Sequence, residues 1–423
     1  MSQDNYDALV VGGGPGGSTA AAYLARAGKK VLLLEKAVFP RFHIGESLLP
    51  YNMRIFRELG VVPALEAAGF PKKFGAQFEL GDGSKCVGFV FRNGKFTKEI
   101  QAFQVERSIF DHILLKNTRS LGADAREGWT VCRTQSNKNG ATVEAVGPSG
   151  KSAVFTGSFL IDASGRGNLT GNQDGLRVMH PGLKKLALFG HFYDVELDAG
   201  ERRGDTVITR LSNKWFWFIP VSPVKTSVGC VLDAEEYGRW KGSPDELFRG
   251  LIQSSPPAAK RMKNARIAEP LQTAADFSYH NRRVAGERLL RVGDAAGFLD
   301  PIFSSGVYMA MLSGKLGAQA ILDSMSNGGN ARPLERYEKK FFRALKFYWE
   351  MIEGFYTTPF MEVFLEPREK WSLPAAVNAA LAGELQGNWP LRWRMRLFFL
   401  LIKLQGRRPF LPRIRFPSSA LDA

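Results

Sequence analysis

The run Gly12-Gly-Gly14-Pro-Gly-Gly17 has the composition of a turn in which main-chain N–H groups, rather than side chains, meet a ligand. Asp7-Ala-Leu-Val-Val11 ahead of it reads as a short buried strand. The alanine-rich stretch behind it reads as a helix to about Ala27, and Val31-Leu-Leu-Leu-Glu35 as a second, parallel strand. In such a β-α-β unit the turn from Gly12 to Gly14 must be tight. Gly14 lets the backbone approach a pyrophosphate, with Pro15 in the same loop, and Gly17 lets helix pack on strand. Glu35, 23 residues beyond Gly12, falls where a carboxylate accepts hydrogen bonds from a ribose diol. A lone glycine pattern is weak; with a strand before it, a helix after it and an acid at the second strand end, it marks a dinucleotide site.

The elements that must position this site follow along the chain. Arg107 to Leu121 has the pattern of an amphipathic helix, followed by strand-like runs at Trp129 to Arg133, Ala141 to Val146 and Ser152 to Phe155. Phe159-Leu-Ile-Asp-Ala-Ser-Gly165 and Leu289-Leu-Arg-Val-Gly-Asp294 are further buried strands ending in small residues or an acid. Between Leu186 and Leu232 apolar and aromatic residues alternate with polar ones, which predicts an antiparallel sheet on the substrate side. A helix is expected from about Ser305 to Met325, and beyond Arg332 the chain reads as helical and aromatic. The expected fold is α/β. A Rossmann-type dinucleotide domain occupies residues 1–330, interleaved with the antiparallel substrate sheet at about 71–100 and 180–280, and a helical region spans 331–423.

At 423 residues, 44% hydrophobic and 23% charged, the chain is an ordinary globular one, not a disordered or disulfide-rich one. Its three cysteines (Cys86, Cys132, Cys230) make no disulfide framework or metal spacing, so a reducing, cytoplasmic setting and no metal are expected. Ser2, Gln3 and Asp4 leave no room for a signal peptide, and no apolar run is long enough to span a membrane. The net charge of +16 is concentrated: Arg392, Arg394, Arg396, Lys403, Arg407, Arg408, Arg413 and Arg415 lie near the C-terminus with no acid among them. An acidic protein or an anionic membrane is the expected peripheral partner of that segment. Nucleic acid is not, because no base-reading or stacking module accompanies the charge.

The glycine loop with Glu35, then Arg107, Asp162-Ala-Ser-Gly165 and Gly293-Asp294, stand in the order in which flavin-binding monooxygenase-type folds wrap FAD. That resemblance implies that Arg107 and Asp294 contact the ribityl and phosphate region. Four further motifs, Phe39–Pro50, Gly69–Phe78, Trp215–Pro220 and Phe298–Gly306, give roughly residues 5 to 325 a sharper resemblance to the flavin-dependent halogenases, particularly those acting on phenols and pyrroles. Phe39-Pro-Arg-Phe-His-Ile-Gly-Glu-Ser-Leu-Leu-Pro50 is similar to that family's flavin loop, which implies cofactor contacts at Arg41, Gly45 and Ser47. Gly69-Phe-Pro-Lys-Lys-Phe-Gly-Ala-Gln-Phe78 resembles the segment holding the catalytic lysine, here Lys73 rather than Lys72. Trp215-Phe-Trp-Phe-Ile-Pro220 fits a WxWxIP signature, and Phe298-Leu-Asp-Pro-Ile-Phe-Ser-Ser-Gly306 resembles the loop beside the flavin ring, with Pro301 and Gly306 at the cofactor.

The resemblance implies that FAD, reduced by a separate flavin reductase, oxidises chloride or bromide with oxygen to hypohalous acid, which Lys73 directs to an aromatic ring. A halide needs an anion site, and unpaired N–H groups of Ser304, Ser305 and Gly306 at a helix start suit one. Trp215, Trp217 and Phe303 are expected to screen the substrate from the flavin. Tryptophan halogenases carry a Glu where Phe303 stands, so an electron-rich phenol or pyrrole, free or carrier-protein-bound, is the expected substrate. No second dinucleotide fingerprint is present, which is why the reductase is expected as a partner. The rival readings are a prenyl reductase of the geranylgeranyl type, which shares a related aromatic motif, and a flavin-binding protein without turnover. The aromatic stretch from Phe341 to Phe360 reads as helix packing before it reads as a cap over substrate.

Overall fold

In the computed structural model residues 5–275, 278–384 and 389–416 are described; Ser2, Gln3 and Asp4, on which the expectation about a leader rested, lie outside them. Strand β1 (Asn5–Val11), helix α1 (Pro15–Arg26) and strand β2 (Val31–Glu35) form the predicted β-α-β unit. β2 is buried at every position, as expected of a parallel strand covered on both faces. The parallel core of this first sheet runs Leu289–Arg291, Ser152–Asp162, β1, β2, Asp124–Glu127. Helix α1 packs between the helices Arg107–Ser120 and Ser305–Ser326. The two predicted strands at Ser152–Phe155 and Phe159–Asp162 are one strand, whose first half pairs with Gly140–Val146 and whose second half pairs with Leu289–Arg291.

The second sheet has the order Arg266–Ile267, Lys185–Tyr193, Lys225–Asp233, Trp215–Pro220, Thr206–Arg210, Gly75–Leu80, Cys86–Val90. All its pairings are antiparallel except that of Thr206–Arg210 with Gly75–Leu80. Alternation sorts the aromatic strand Trp215–Pro220. Phe216 and Phe218 enter a core shared with Leu247, Phe248 and Leu251 of the helix Pro244–Gln253, whereas Trp215, Trp217 and Ile219 face the other way. Trp217 lies opposite Gly229, where a Cβ would sit 2.2 Å from the indole ring, so glycine makes room for the larger side chain.

The C-terminal part is helical over Arg332–Phe355, Thr358–Phe364, Leu373–Leu381 and Trp389–Arg407. Phe341, Tyr348, Phe355 and Phe360 are buried in the main core, which accounts for most of the aromatic stretch as packing. The basic tail folds back through Glu362, which is buried and accepts from Gln405 Nε2 at 2.7 Å and the Ile414 N–H at 3.0 Å, with Arg413 at 3.3 Å. Among the described residues no helix is long and apolar enough to cross a membrane.

Candidate functional site

A cavity of about 640 Å³ is lined from both sheets. From the first come Gly12, Gly14, Pro15, Glu35, Gly293 and Asp294, and from the second Thr206, Ile208, Trp215, Trp217 and Ile219. Gly12 has φ +104°, and a Cβ there would meet the Ala163 carbonyl at 2.3 Å, so the tight turn requires glycine. Gly17 does not line the cavity; a Cβ on it would collide with the Gly12 carbonyl at 1.9 Å, the helix-on-strand approach expected of it. No side chain caps α1 at Gly14, which leaves its first N–H groups to the cavity. Glu35 accepts from the Gly13 N–H at 2.6 Å and the Ala37 N–H at 2.8 Å, so each carboxylate oxygen keeps a lone pair for a diol. These glycines, free helix N–H groups and acid fit the pyrophosphate and ribose of FAD.

Arg107 and Arg41 also line this cavity and share the buried Asp111. Arg107 additionally holds the carbonyls of Ile44 and Gly45 at 2.8 and 3.2 Å, pinning the loop that carries Gly45 and Ser47. Asp294 is pushed up to about 6 by burial, with Arg107 and Arg166 opposing. His43 in the same loop is pushed down to about 4 by burial, reinforced by Arg107, and stays neutral near pH 7.

Lys72 is exposed and Lys73 is 1% exposed. The two-residue strand Lys72–Lys73 pairs with Ala102–Phe103, which turns the Lys73 ammonium inward. Its Nζ donates to Ser47 Oγ at 2.8 Å and to the Leu48 carbonyl at 3.3 Å, and lies 5.7 Å from the Phe91 ring centre. Lys185 and Lys214, equally buried, each have a carboxylate at 2.7 and 2.6 Å; Lys73 is held by neutral acceptors. Burial lowers its pKa to about 7, the charge of Asp205 working against this, and burial raises Asp205 to about 6 with Lys73 opposing. Ser47 lines the cavity and Lys73 lies one hydrogen bond behind it.

Pro301, Ser304 and Gly306 line the cavity, and Ser305 is buried in the first turn of the helix. Asp300 accepts from the Ile302 N–H and turns the chain, and Ser304 at φ +55° starts the 22-residue helix without a side-chain cap. Phe303 lies elsewhere. Its ring packs on Phe78 and Phe355, 6.2 and 5.9 Å between centres, because the short 3₁₀ turn Pro301–Phe303 rotates it into the core, so it forms no part of the cavity wall expected of it.

The pattern of the sequence did not reveal Gln104, Asp205 and Thr206 around Lys73, nor the buried pair Glu46–His191. In that pair His191 Nε2 lies 2.7 Å from Glu46, and although burial opposes charging, Glu46 raises the pKa of His191. Glu46 stands between Gly45 and Ser47 in the quoted flavin loop, which is the one signal that pointed near it.

A family profile described as FAD binding domain matches residues 5–346. The chain is 32% identical over 379 residues to the 1H-pyrrole-2-carbonyl-(peptidyl-carrier protein) chlorinase of Pseudomonas fluorescens, covering 84% of each. The chain belongs to the flavin-dependent halogenases. Among solved structures, the flavin-dependent brominase Bmp2 superposes with a TM-score of 0.84 at 27% identity, over 96% of this halogenase and 100% of that chain. A flavoprotein/dehydrogenase from Cytophaga hutchinsonii superposes with a TM-score of 0.88 at 27% identity, over 96% and 99%. The halogenase is thus an oxidoreductase that uses FAD and a halide, built on the Rossmann-type fold its glycine loop announced.

Proposed function

We propose that this halogenase installs chlorine or bromine on an electron-rich aromatic ring, phenolic or pyrrolic, by way of hypohalous acid directed by Lys73. Bound FAD, reduced by a separate reductase, supplies with oxygen the oxidation of the halide. The chain's own residues do the rest. Gly12, Gly14, Pro15, Glu35, Arg41, Gly45, Ser47, Arg107 and Asp294 hold the cofactor, with Pro301 and Gly306 beside its ring. The Ser304 N–H, expected to share in the halide site, is taken by the Pro301 carbonyl at 2.9 Å, so the N–H groups of Ser305 and Gly306 hold the halide, because the helix start favours negative charge. Trp215 and Trp217 wall the substrate off from the ring system.

The observation that carries the reading is the Lys73 ammonium: buried, held by neutral acceptors, and joined to the cavity through Ser47. Hypohalous acid is reactive and diffusible, so selective halogenation requires a donor that fixes its oxygen, and burial near a pKa of 7 lets this amine also take up the proton the ring releases. The chlorinase relative is named for a pyrrole carried on a peptidyl carrier protein. A tethered substrate is supported here by the exposed Arg392, Arg396, Lys403, Arg407 and Arg408 on and after the helix Trp389–Arg407, a surface suited to an acidic carrier.

Incubating the enzyme with a flavin reductase, bromide and a panel of free and carrier-bound phenols and pyrroles is expected to give brominated products by mass spectrometry. Lys73→Met is expected to lower bromination about 10²- to 10⁴-fold while reduced flavin is still oxidised. A product that gains two hydrogens regardless of bromide would replace this reading with a reductase, and flavin oxidation without hypobromous acid would replace it with a flavin-binding protein.

A further inference from the structure

The hydroxyls of Ser47 and Thr206 lie 2.8 Å apart, and both residues line the cavity. Behind them stand two buried donors. Lys73 Nζ donates to Ser47 Oγ at 2.8 Å, and Gln104 Nε2 donates to Thr206 Oγ1 at 2.9 Å and to the Gly204 carbonyl at 3.0 Å. The Gly204 carbonyl fixes the amide, since the flipped orientation would set two oxygens face to face.

Counting hydrogens limits what the pair can offer the cavity, since either hydroxyl can donate to the other. With Lys73 charged, Ser47 accepts from the lysine and Thr206 accepts from Gln104. One hydroxyl proton bridges the two oxygens and the other is left for an occupant of the cavity. With Lys73 neutral, its lone pair takes the Ser47 proton and Thr206 donates to Ser47. Both protons are then spent, and the cavity meets only oxygen lone pairs.

We propose that the Ser47–Thr206 hydroxyl pair, rather than the lysine nitrogen itself, exchanges protons with the reactants, as donor or acceptor according to the charge on Lys73. The inference rests on the function proposed above and deepens it. In the halogenation step the ring's π electrons form the carbon–halogen bond, and the halogen–oxygen bond breaks with its electron pair on oxygen. The departing hydroxide takes the free hydroxyl proton and leaves as water, and Lys73 replaces that proton through Ser47. The proton lost from the ring carbon then returns through the same pair and recharges the lysine, so no net proton is gained or lost by the enzyme.

The test is a double-mutant cycle on the full chain with FAD, a flavin reductase, bromide and phloroglucinol, reading moles of bromide incorporated per flavin oxidised, with hypobromous acid trapped in parallel. Ser47→Ala and Lys73→Met are each expected to lower that ratio about 10²-fold. The double variant is expected to fall no further than the worse single one, because the residues act in series. Thr206→Val is expected to lose about 10-fold and Thr206→Ser to recover it, since Thr206→Val leaves Ser47 connected to the lysine. A readout independent of turnover is the NMR titration of ¹³Cε-labelled lysines, with Lys73 identified by its loss in Lys73→Met. Ser47→Ala should lower the Lys73 midpoint by about one unit, because the charge-assisted bond lost to the ammonium is stronger than the neutral bond the same hydroxyl makes to the amine. Additive losses in the cycle, or a Lys73 midpoint unmoved by Ser47→Ala, overturn the relay and leave the lysine's role standing. Undiminished incorporation in Lys73→Met overturns the functional reading itself. If Ser47→Ala loses flavin, Thr206→Val against Thr206→Ser and the lysine titration decide.

Discussion

Trp215 and Tyr356, 141 residues apart, are joined by a hydrogen bond in which the indole Nε1 donates to the phenol oxygen at 2.8 Å. The phenol donates in turn to Asp300 at 2.7 Å, and the other oxygen of Asp300 accepts from the Ile302 N–H at 3.1 Å. The aromatic wall is thereby tied to the loop that leads into Ser304–Gly306. Burial beside Asp300 holds the Tyr356 hydroxyl protonated at any working pH, so it remains a donor. Tyr356→Phe leaves an indole N–H and a carboxylate oxygen buried without partners, at about 1–3 kcal/mol each. Urea denaturation should show a loss of that size, and bromide KM should rise as the loop loosens. A variant with an unchanged midpoint and KM would show that the tie does not hold the loop.

Much of this frame was legible because its signals are contiguous. The glycine loop, α1 and Glu35 occupy one short stretch, and the WxWxIP strand alternates as a two-faced strand must. Elsewhere local patterning misled. Ser152–Phe155 and Phe159–Asp162 read as two strands because Gly157 interrupts them, yet that glycine lets β1 come close: a Cβ there would meet Leu9 Cγ at 2.9 Å. The choice of Lys73 over Lys72 came by resemblance; burial of one and exposure of the other is its physical counterpart. Thr206 and Gln104 had no local signal, because they meet Ser47 and each other only through pairings 159 and 102 residues apart. The direction of Phe303 was equally hidden, since a short 3₁₀ turn has no periodicity to show which side chain faces inward.

Lys73 makes stability depend on pH with a definite sign. Burial lowers its pKa from 10.5 to about 7, so between those values the unfolded chain binds more protons than the folded one and stability rises with pH. Below about pH 7 the folded state carries a buried ammonium. At on the order of 1.4 kcal/mol per unit, the interval amounts to a few kcal/mol. Lys73→Met should therefore be more stable than the parent at pH 6, and the advantage should shrink toward pH 10. Melting curves of both proteins across that range check it, and parallel curves would contradict it.

Asp205 is the charged group that faces Lys73; its other neighbours are the Ser47 hydroxyl, the Leu48 carbonyl and the Phe91 ring. With the acid at about 6 and the amine at about 7, carboxylate and ammonium coexist mainly between those values. Asp205→Asn keeps an oxygen for the Gly75 N–H while removing the charge that favours the ammonium. The alkaline limb of the halogenation profile, where activity falls as Lys73 loses its proton, should then move about one unit lower. Activity at pH 6 should fall less than activity at pH 7.5. A profile reduced in height with its limb unmoved would mean that Asp205 acts through packing.

Gly229 sets how close Trp217 lies against its neighbouring strand. A Cβ at this position would stand 2.2 Å from the indole and 2.6 Å from Phe189 Cβ, both on rigid side chains, and Trp217 is further anchored by its Nε1 donating to Ser227 at 3.1 Å. Gly229→Ala must therefore push the indole outward or strain the sheet, at about 1–3 kcal/mol. If Trp217 is a wall between flavin and substrate, the displaced indole opens it, and the ring becomes exposed to direct oxygen transfer. Mass spectrometry should then find hydroxylated product rising at the expense of brominated product. Trp217→Phe, which keeps an aromatic surface but gives up volume and the N–H, should fall between the parent and Gly229→Ala. Loss of stability in both variants with an unchanged product ratio would assign Trp217 to packing alone.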